Sequence, residues 1–213
     1  FNNAGTFVQD ASGKQTSINT AFNNSGTVNV KSGTLSLSGG GTSTGSFDIQ
    51  SGQTLEFAGG THELTGSTIT NAGTLRNSGA TTNMQSSSLS GNGAIQVSGG
   101  ALNINGAVNH TSQAVSVSGG ELNFSGTGNL NTGSLDVSGG AFNSAANITT
   151  SSVSHTSGTI GGSGSLLTTV LNWFGYGSTQ KGNGTTTVSG NATIGDGTNY
   201  SYHLLGDGDG TNR

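Results

Sequence analysis

The chain has 213 residues, of which only 14 are charged (5 Lys and Arg, 9 Asp and Glu), and it contains 40 Gly but no Pro and no Cys. A charged fraction of 7% lies far below the ~25% of ordinary domains, and no basic stripe is present to neutralise nucleic-acid phosphates. No apolar run approaches the ~20 residues of a membrane span. We therefore expect neither nucleic-acid binding nor membrane insertion by this segment.

A repeat of about 20 residues dominates the chain from residue 35 onward. Its clearest copies, at 95–104, 115–124 and 135–144, read IQVSGGALNI, VSVSGGELNF and LDVSGGAFNS. Alternating apolar residues predict a half-buried strand on each side of a Gly-Gly turn. A second turn signal, Asn-Ala/Ser-Gly-Thr, begins at Asn3, Asn24 and Asn71 and precedes the first strand of a copy.

A 20-residue unit with two or three short strands cannot bury its own apolar face, but a stack of such units can. The common register would place one internal ladder through Leu35, Leu55, Leu75, Ile95, Val115 and Leu135. The repeat therefore predicts an all-β fold, a single-stranded right-handed parallel β-helix (β-solenoid) with coils of about 20 residues. The alternative, an antiparallel sandwich or barrel, would show irregular spacings of about 8–12 residues and hairpin signals.

The chain divides into two predicted parts, regular coils over 1–160 and less regular coils over 161–213, because the register breaks after about Ile160. The second part contains an aromatic cluster, Trp173, Phe174 and Tyr176. In the first part four asparagines share one offset, where stacked amides can hydrogen-bond along the axis. This predicted structural ladder comprises Asn83, Asn103, Asn123 and Asn143.

Several segments together resemble a repeat of large bacterial surface proteins. They are Asn172-Trp173, GNGTTTV at 182–188, NATI at 191–194 and FNNSGT at 22–27. The chain is similar in these segments to haemagglutinin-like adhesins and autotransporter passengers. That resemblance implies a secreted, surface-displayed β-solenoid. Phe174 and Tyr176 depart from the small residues that usually follow the Trp in that family.

The distribution of carboxylates and histidines argues against an enzyme. Glu56 and Asp136 share an offset but lie four coils apart, too far for a paired-carboxylate mechanism. Glu56 lies one coil below Arg76, which predicts a weak surface ion pair. The four histidines have different offsets, so we expect them to be exposed and solitary, and no metal site is predicted. Asp207 and Asp209 alternate with glycines and would suit Ca²⁺, but the motif occurs once and a plain acidic turn is the favoured interpretation.

These observations favour a structural or adhesive rod segment of a large secreted bacterial surface protein, located outside the cell. Expected partners are further copies stacked end to end, or flanking coils of the same polypeptide, together with surface glycans. The alternative is a carbohydrate-binding module in which Trp173, Phe174 and Tyr176 stack on sugar, against the simpler interpretation that these aromatics are buried. An ice-binding protein and a polysaccharide-degrading enzyme are weaker alternatives.

Overall fold

The computed structural model describes residues 1–175 and 177–195 in full and residues 203–206 by their backbone. These described residues form 22 β-strands and contain no helix. The strands are β1 (Asn2–Asn3), β2 (Thr6–Ile18), β3 (Asn23–Asn24), β4 (Thr27–Leu37), β5 (Gly41–Ser43), β6 (Ser46–Ile49), β7 (Thr54–Phe57), β8 (Thr61–Thr65), β9 (Thr68–Asn71), β10 (Thr74–Asn77), β11 (Thr81–Gln85), β12 (Ser88–Gly91), β13 (Ala94–Val97), β14 (Ala101–Ile104), β15 (Ala107–Val117), β16 (Glu121–Phe124), β17 (Thr127–Ser144), β18 (Ile148–Gly161), β19 (Leu166–Trp173), β20 (Ser178–Lys181), β21 (Thr186–Ile194) and β22 (His203–Gly206).

The strands form a parallel β-solenoid in which each coil has three sides. Every pairing is parallel, and each strand pairs with the strand about one coil later. Side one consists of β1, β3, β5, β8, β11, β14, β16, β20 and β22 with the C-terminal ends of β17 and β18. Side two begins with Thr6–Gln9 and runs through β6, β9 and β12 to the start of β21. Side three begins with Gln15–Ile18 and runs through β7, β10 and β13 to the end of β21.

The predicted apolar ladder forms the core behind side three. Leu35, Leu55, Leu75, Ile95, Val115 and Leu135 pair in direct succession, and each is at most 1% exposed. A second ladder two residues further along runs through Leu37, Phe57, Asn77, Val97, Val117 and Val137. The register derived from the sequence is therefore confirmed, including its polar interruption at Asn77.

The predicted Gly-Gly turns connect side three to side one. The second glycine of the pair adopts a positive φ at Gly60, Gly100, Gly120 and Gly140, with values between 64° and 71°. Only glycine takes this backbone conformation without a steric penalty, so these turns require it. The turn determines which side chains of side one point into the core. In the coil that begins with Ile95, the first of them is Leu102.

The coil length changes earlier than the sequence predicts. Leu135 pairs with Val153 and Val153 pairs with Leu171, two steps of 18 residues (135 to 153 to 171). The 20-residue spacing thus ends at the turn between Ser144 and Ile148, just before β18, the strand that contains Ile160. The stack itself continues, because residues are removed at a turn and the strands keep their three-sided arrangement.

Candidate functional site

The asparagines of side one form a continuous hydrogen-bonded ladder on the outer surface. Asn103 Nδ2 donates to Asn83 Oδ1, Asn123 Nδ2 to Asn103 Oδ1, and Asn143 Nδ2 to Asn123 Oδ1, each over 2.8 Å. Every amide therefore donates toward the N-terminal end of the rod. All four side chains are half-buried. A row of amides so engaged tightens the contact between coils.

The lower end of this ladder is a carboxylate. Asn83 Nδ2 donates to Glu63 Oε1 over 2.7 Å. Lower in the same column, Asn23 Nδ2 donates to Asn2 Oδ1 over 2.9 Å. Above Asn143 the column continues with Gly161, which has no side chain to extend the ladder.

The predicted aromatic cluster does not form a sugar-binding platform at Trp173. Its ring is 1% exposed and stacks on the His155 ring at a centroid distance of 5.6 Å and an interplanar angle of 14°. Its indole Nε1 donates to Ser178 Oγ over 2.6 Å. Trp173 is an inward residue of side three because it continues the ladder above Val137 and His155, so its assignment as a ligand-binding residue is corrected. Phe174 is half-buried, and Tyr176 lies outside the described residues.

Three of the four histidines are buried, which corrects the expectation that they are exposed. His62, His110 and His155 are at most 2% exposed and lie inward on sides one, two and three, respectively. Their Nε2 atoms donate to the carbonyl oxygens of Gly59 (3.1 Å), Gly93 (2.9 Å) and Gly158 (3.1 Å), respectively. The sequence carried the signal, since each occupies an inward offset. The side chain of His203 lies outside the described residues.

Burial changes the acid–base behaviour of two of these imidazoles. Desolvation lowers the pKa of His62 below its ordinary value of 6.5, against a smaller raising effect of the carbonyls of Gly59 and Leu37. Desolvation likewise lowers the pKa of His110, with Gly93 and Ser90 opposing it. Both rings are therefore neutral inside the rod near pH 7.

The six carboxylates that the structure describes lie on the outside and do not converge. Arg76 Nε lies 3.6 Å from Glu56 Oε1 on the preceding coil, which confirms that these residues are neighbours. Glu56 and Asp136 lie in one column four coils apart. Over the part of the chain that the structure describes, no three His, Cys, Asp or Glu side chains group to hold a metal ion. Asp207 and Asp209, the predicted Ca²⁺ ligands, lie outside that part.

A row of buried hydroxyl groups, which the sequence analysis missed, lies at the corner between sides two and three. Ser112, Thr132, Thr150 and Thr168 stack in register. Each hydroxyl donates to the carbonyl oxygen two residues later, over 2.7 to 3.0 Å. The sequence contains this spacing of one hydroxyl residue per coil, but the many other Ser and Thr residues make it difficult to recognise.

A cavity of about 280 Å³ lies between sides one and two near the last described coils. Its lining combines apolar residues, including Phe142 and Leu166, with Gln180, Lys181 and Thr186. Thr186 Oγ1 donates to Gln180 Oε1 over 3.2 Å, while the buried Gln180 Nε2 has no hydrogen-bond partner. The cavity is large enough for a small hydroxylated molecule, and this amide would supply a donor to it.

The comparisons with known proteins leave the chain without a family assignment. Among the residues described, no helix is long and apolar enough to span a membrane. No protein-family model matches the sequence, and the searches of curated proteins and of solved structures find no significant match.

Proposed function

We propose that this chain is a structural or adhesive rod segment of a secreted bacterial surface protein, where it holds other parts of that protein at a distance from the cell. The observation that carries the proposal is the unbroken stacking of coils. Pairing continues in all three sides from β2 to β21, and the Asn ladder adds side-chain bonds along the same axis.

The outer surface also supports a mechanical role. Outward positions on side three pass through Ser36, Glu56, Arg76, Gln96, Ser116 and Asp136. This mixed sequence of charge and polarity suits a solvated surface and disfavours the regular hydroxyl face of an ice-binding protein. With only 14 charged residues in 213, the rod has few flexible, highly charged side chains.

If the rod is a spacer, its length, and not any one residue, should determine how far it holds an attached domain from the cell surface. Deleting residues 75–94 would place Ile95 directly on Leu55 and shorten the rod by one coil, ~4.8 Å. Displayed between a surface anchor and a fluorescent domain, the shortened chain should stay folded and bring the fluorophore closer to the membrane by that step. A matched deletion of residues 75–93 shifts the register by one residue and should unfold the flanking coils. A separation that is unchanged by whole-coil deletions would contradict the spacer role.

Carbohydrate binding remains a second candidate, and it now draws on the cavity beside Gln180 rather than on Trp173. The unpartnered Nε2 of Gln180 and the Thr186 hydroxyl would bind sugar hydroxyls. Titration with mono- and disaccharides should move the NMR signals of the Gln180 side-chain amide. In a Gln180→Leu variant that remains folded, the saturable shifts of neighbouring backbone amides should disappear. No saturable shift with any sugar would exclude this candidate.

A further inference from the structure

One inward column of side two contains two buried polar residues with a gap between them. Asn71 lies one coil below Gly91, and His110 lies one coil above it. From Gln9 to Thr186, Gly91 is the one described residue of this column that has no side chain. The column therefore has room for something other than a side chain at the level of Gly91.

Asn71 and His110 approach the same stretch of backbone in the middle coil from opposite sides. From below, Asn71 Nδ2 donates to Ala94 O over 2.9 Å, and a Cβ on Gly93 would overlap Asn71 Oδ1. From above, His110 Nε2 donates to Gly93 O over 2.9 Å. Both side chains are at most 1% exposed, so the amide and the imidazole flank residues 91–94 inside the core.

These contacts leave one acceptor atom without a donor on each side chain. Ala94 O only accepts, so the atom that meets it is the amide nitrogen of Asn71, and Oδ1 points elsewhere. Gly93 O also only accepts, so the neutral ring of His110 carries its proton on Nε2 and has an acceptor at Nδ1. Neither Asn71 Oδ1 nor His110 Nδ1 has a hydrogen-bond partner among the described residues. The Ser90 carbonyl, which also faces this ring, is a further acceptor and supplies no donor.

Asn24, which begins the same turn signal as Asn71, shows what is missing. Its Oδ1 accepts a hydrogen bond from Gly26 N over 3.2 Å and another from Asn3 Nδ2 over 2.8 Å. A buried acceptor without a donor costs about 1–3 kcal/mol in a folded protein. The surroundings of Asn71 and His110 therefore call for a small group that donates two hydrogen bonds.

We propose that the gap at Gly91 binds one internal water molecule, which donates one hydrogen bond to Asn71 Oδ1 and the other to His110 Nδ1. Water has two O–H donors, and buried waters bind otherwise unsatisfied polar groups of this kind. A metal ion is disfavoured, because the six described carboxylates lie on the outside and an unbalanced charge in the core is costly. The water links three successive coils, and neither the spacer role nor sugar binding requires it.

A high-resolution crystal structure and NMR spectra of the full chain near neutral pH test the site directly. The electron density should show one isolated water within hydrogen-bond distance of both Asn71 Oδ1 and His110 Nδ1. The nitrogen chemical shifts of His110 should show its proton on Nε2. Because the water leaves only when coils separate, a water–protein NOE should be observed at the backbone amide of Gly93.

Substitutions at the two partners test whether they share one water. Asn71→Ile and His110→Leu introduce residues that the same column already contains, at Ile49 and Leu130. Each single variant should lose the water NOE and lower Tm. The double variant should lower Tm by clearly less than the sum of the two, because the water is lost only once and no acceptor is left unpaired at the gap. His62→Leu is the matched control, since it replaces another buried imidazole and should keep the NOE.

The inference is overturned if the density shows no water at this pair of atoms, if Asn71 Oδ1 and His110 Nδ1 bond directly to each other, or if a metal ion fills the gap. It is also overturned if the effects of the two single variants on Tm simply add, or if His62→Leu removes the NOE. None of these outcomes alters the coil-deletion test, so failure here is distinguishable from failure of the rod proposal.

Discussion

Thr82 Oγ1 donates a hydrogen bond of 2.8 Å to Asn77 Oδ1 inside the rod, and both residues are fully buried. Asn77 Nδ2 donates in turn to the carbonyl oxygens of Ala80 (2.9 Å) and Gly99 (2.8 Å). The next coil has Val97 and Leu102 at the two positions. The polar pair thus replaces two apolar ladder residues together: Asn77 accepts from the Thr82 hydroxyl and donates to two backbone carbonyls.

This pairing predicts strongly non-additive substitutions. Asn77→Val alone leaves the buried Thr82 hydroxyl without its acceptor and should lower the free energy of unfolding by about 1–3 kcal/mol. The double variant Asn77→Val/Thr82→Leu removes the orphaned hydroxyl as well, while the Ala80 and Gly99 carbonyls still lose Asn77 Nδ2. It should therefore be clearly more stable than the sum of the two single variants predicts. Urea unfolding at constant m-value measures both. A double variant as unstable as the sum of its single variants would contradict the pairing.

The Asn ladder predicts that position along the row decides the effect of a substitution. Asn103→Ala removes one donated and one accepted bond, to Asn83 and from Asn123, and should destabilise by about 1–2 kcal/mol. Asn143→Ala removes one ladder bond and should cost about half as much. Chemical denaturation of the two variants side by side supplies the comparison, with Asn143→Ala as the control. Equal losses would mean that the ladder does not act as a connected row.

The ion pair between Glu56 and Arg76 should contribute little. Arg76 is 45% exposed and Glu56 13% exposed, with 3.6 Å between the charged atoms. A double-mutant cycle with Glu56→Gln and Arg76→Gln should give a coupling of only a few tenths of a kcal/mol, which falls as salt is added. A coupling above about 2 kcal/mol that resists salt would require a buried pair instead.

The buried histidines predict a loss of stability in mild acid. The pKa of His62 and that of His110 are lowered in the folded chain by burial, so the unfolded chain binds protons first as the pH falls. Stability should therefore be unaffected above about pH 7 and decline as the pH falls below the ordinary pKa of 6.5. The variants His62→Leu and His110→Leu test this prediction. Leucine fits these two columns of the stack, because Leu102 and Leu130 already occupy them in other coils.

Thermal unfolding between pH 7.5 and 5 provides the measurement for the histidine prediction. The wild-type Tm should drop over this interval, and the double variant should lose most of that drop. The double variant controls for every other titrating group, because it differs from the wild type only in the two buried imidazoles. An identical decline in the double variant would show that other groups are responsible.

The strands with a repeated glycine pair were the most predictable part of the fold. Ile95, Val115 and Leu135 share both chemical type and offset, so the 20-residue register and its inward ladder followed from the sequence. Side two was harder to predict because its inward residues change in size and kind. Val108, for example, pairs with Leu89 on one side and with Gly128 on the other. A coil can tolerate such variation because each layer packs mainly on its two neighbours.

The candidate site was less predictable because inward and outward positions were judged by residue type. His62, His110 and His155 were expected to be exposed, yet their offsets belong to the interior, where a single backbone carbonyl engages each Nε2. Trp173 was ambiguous for the same reason. Trp173 points inward because it lies two residues after Leu171, which pairs with Val153 at a spacing of 18 residues. The 20-residue repeat does not predict this shorter coil.

The one-way direction of the Asn ladder gives the rod an electrical polarity. Because every side-chain amide of Asn83, Asn103, Asn123 and Asn143 donates toward the N-terminal end, their individual dipoles add instead of cancelling. The positive end of this row meets the carboxylate of Glu63 over 2.7 Å, as an acidic residue does at the start of a helix. The row therefore acts as an axial dipole with its own counter-charge, which makes the two directions along this side of the molecule electrostatically different.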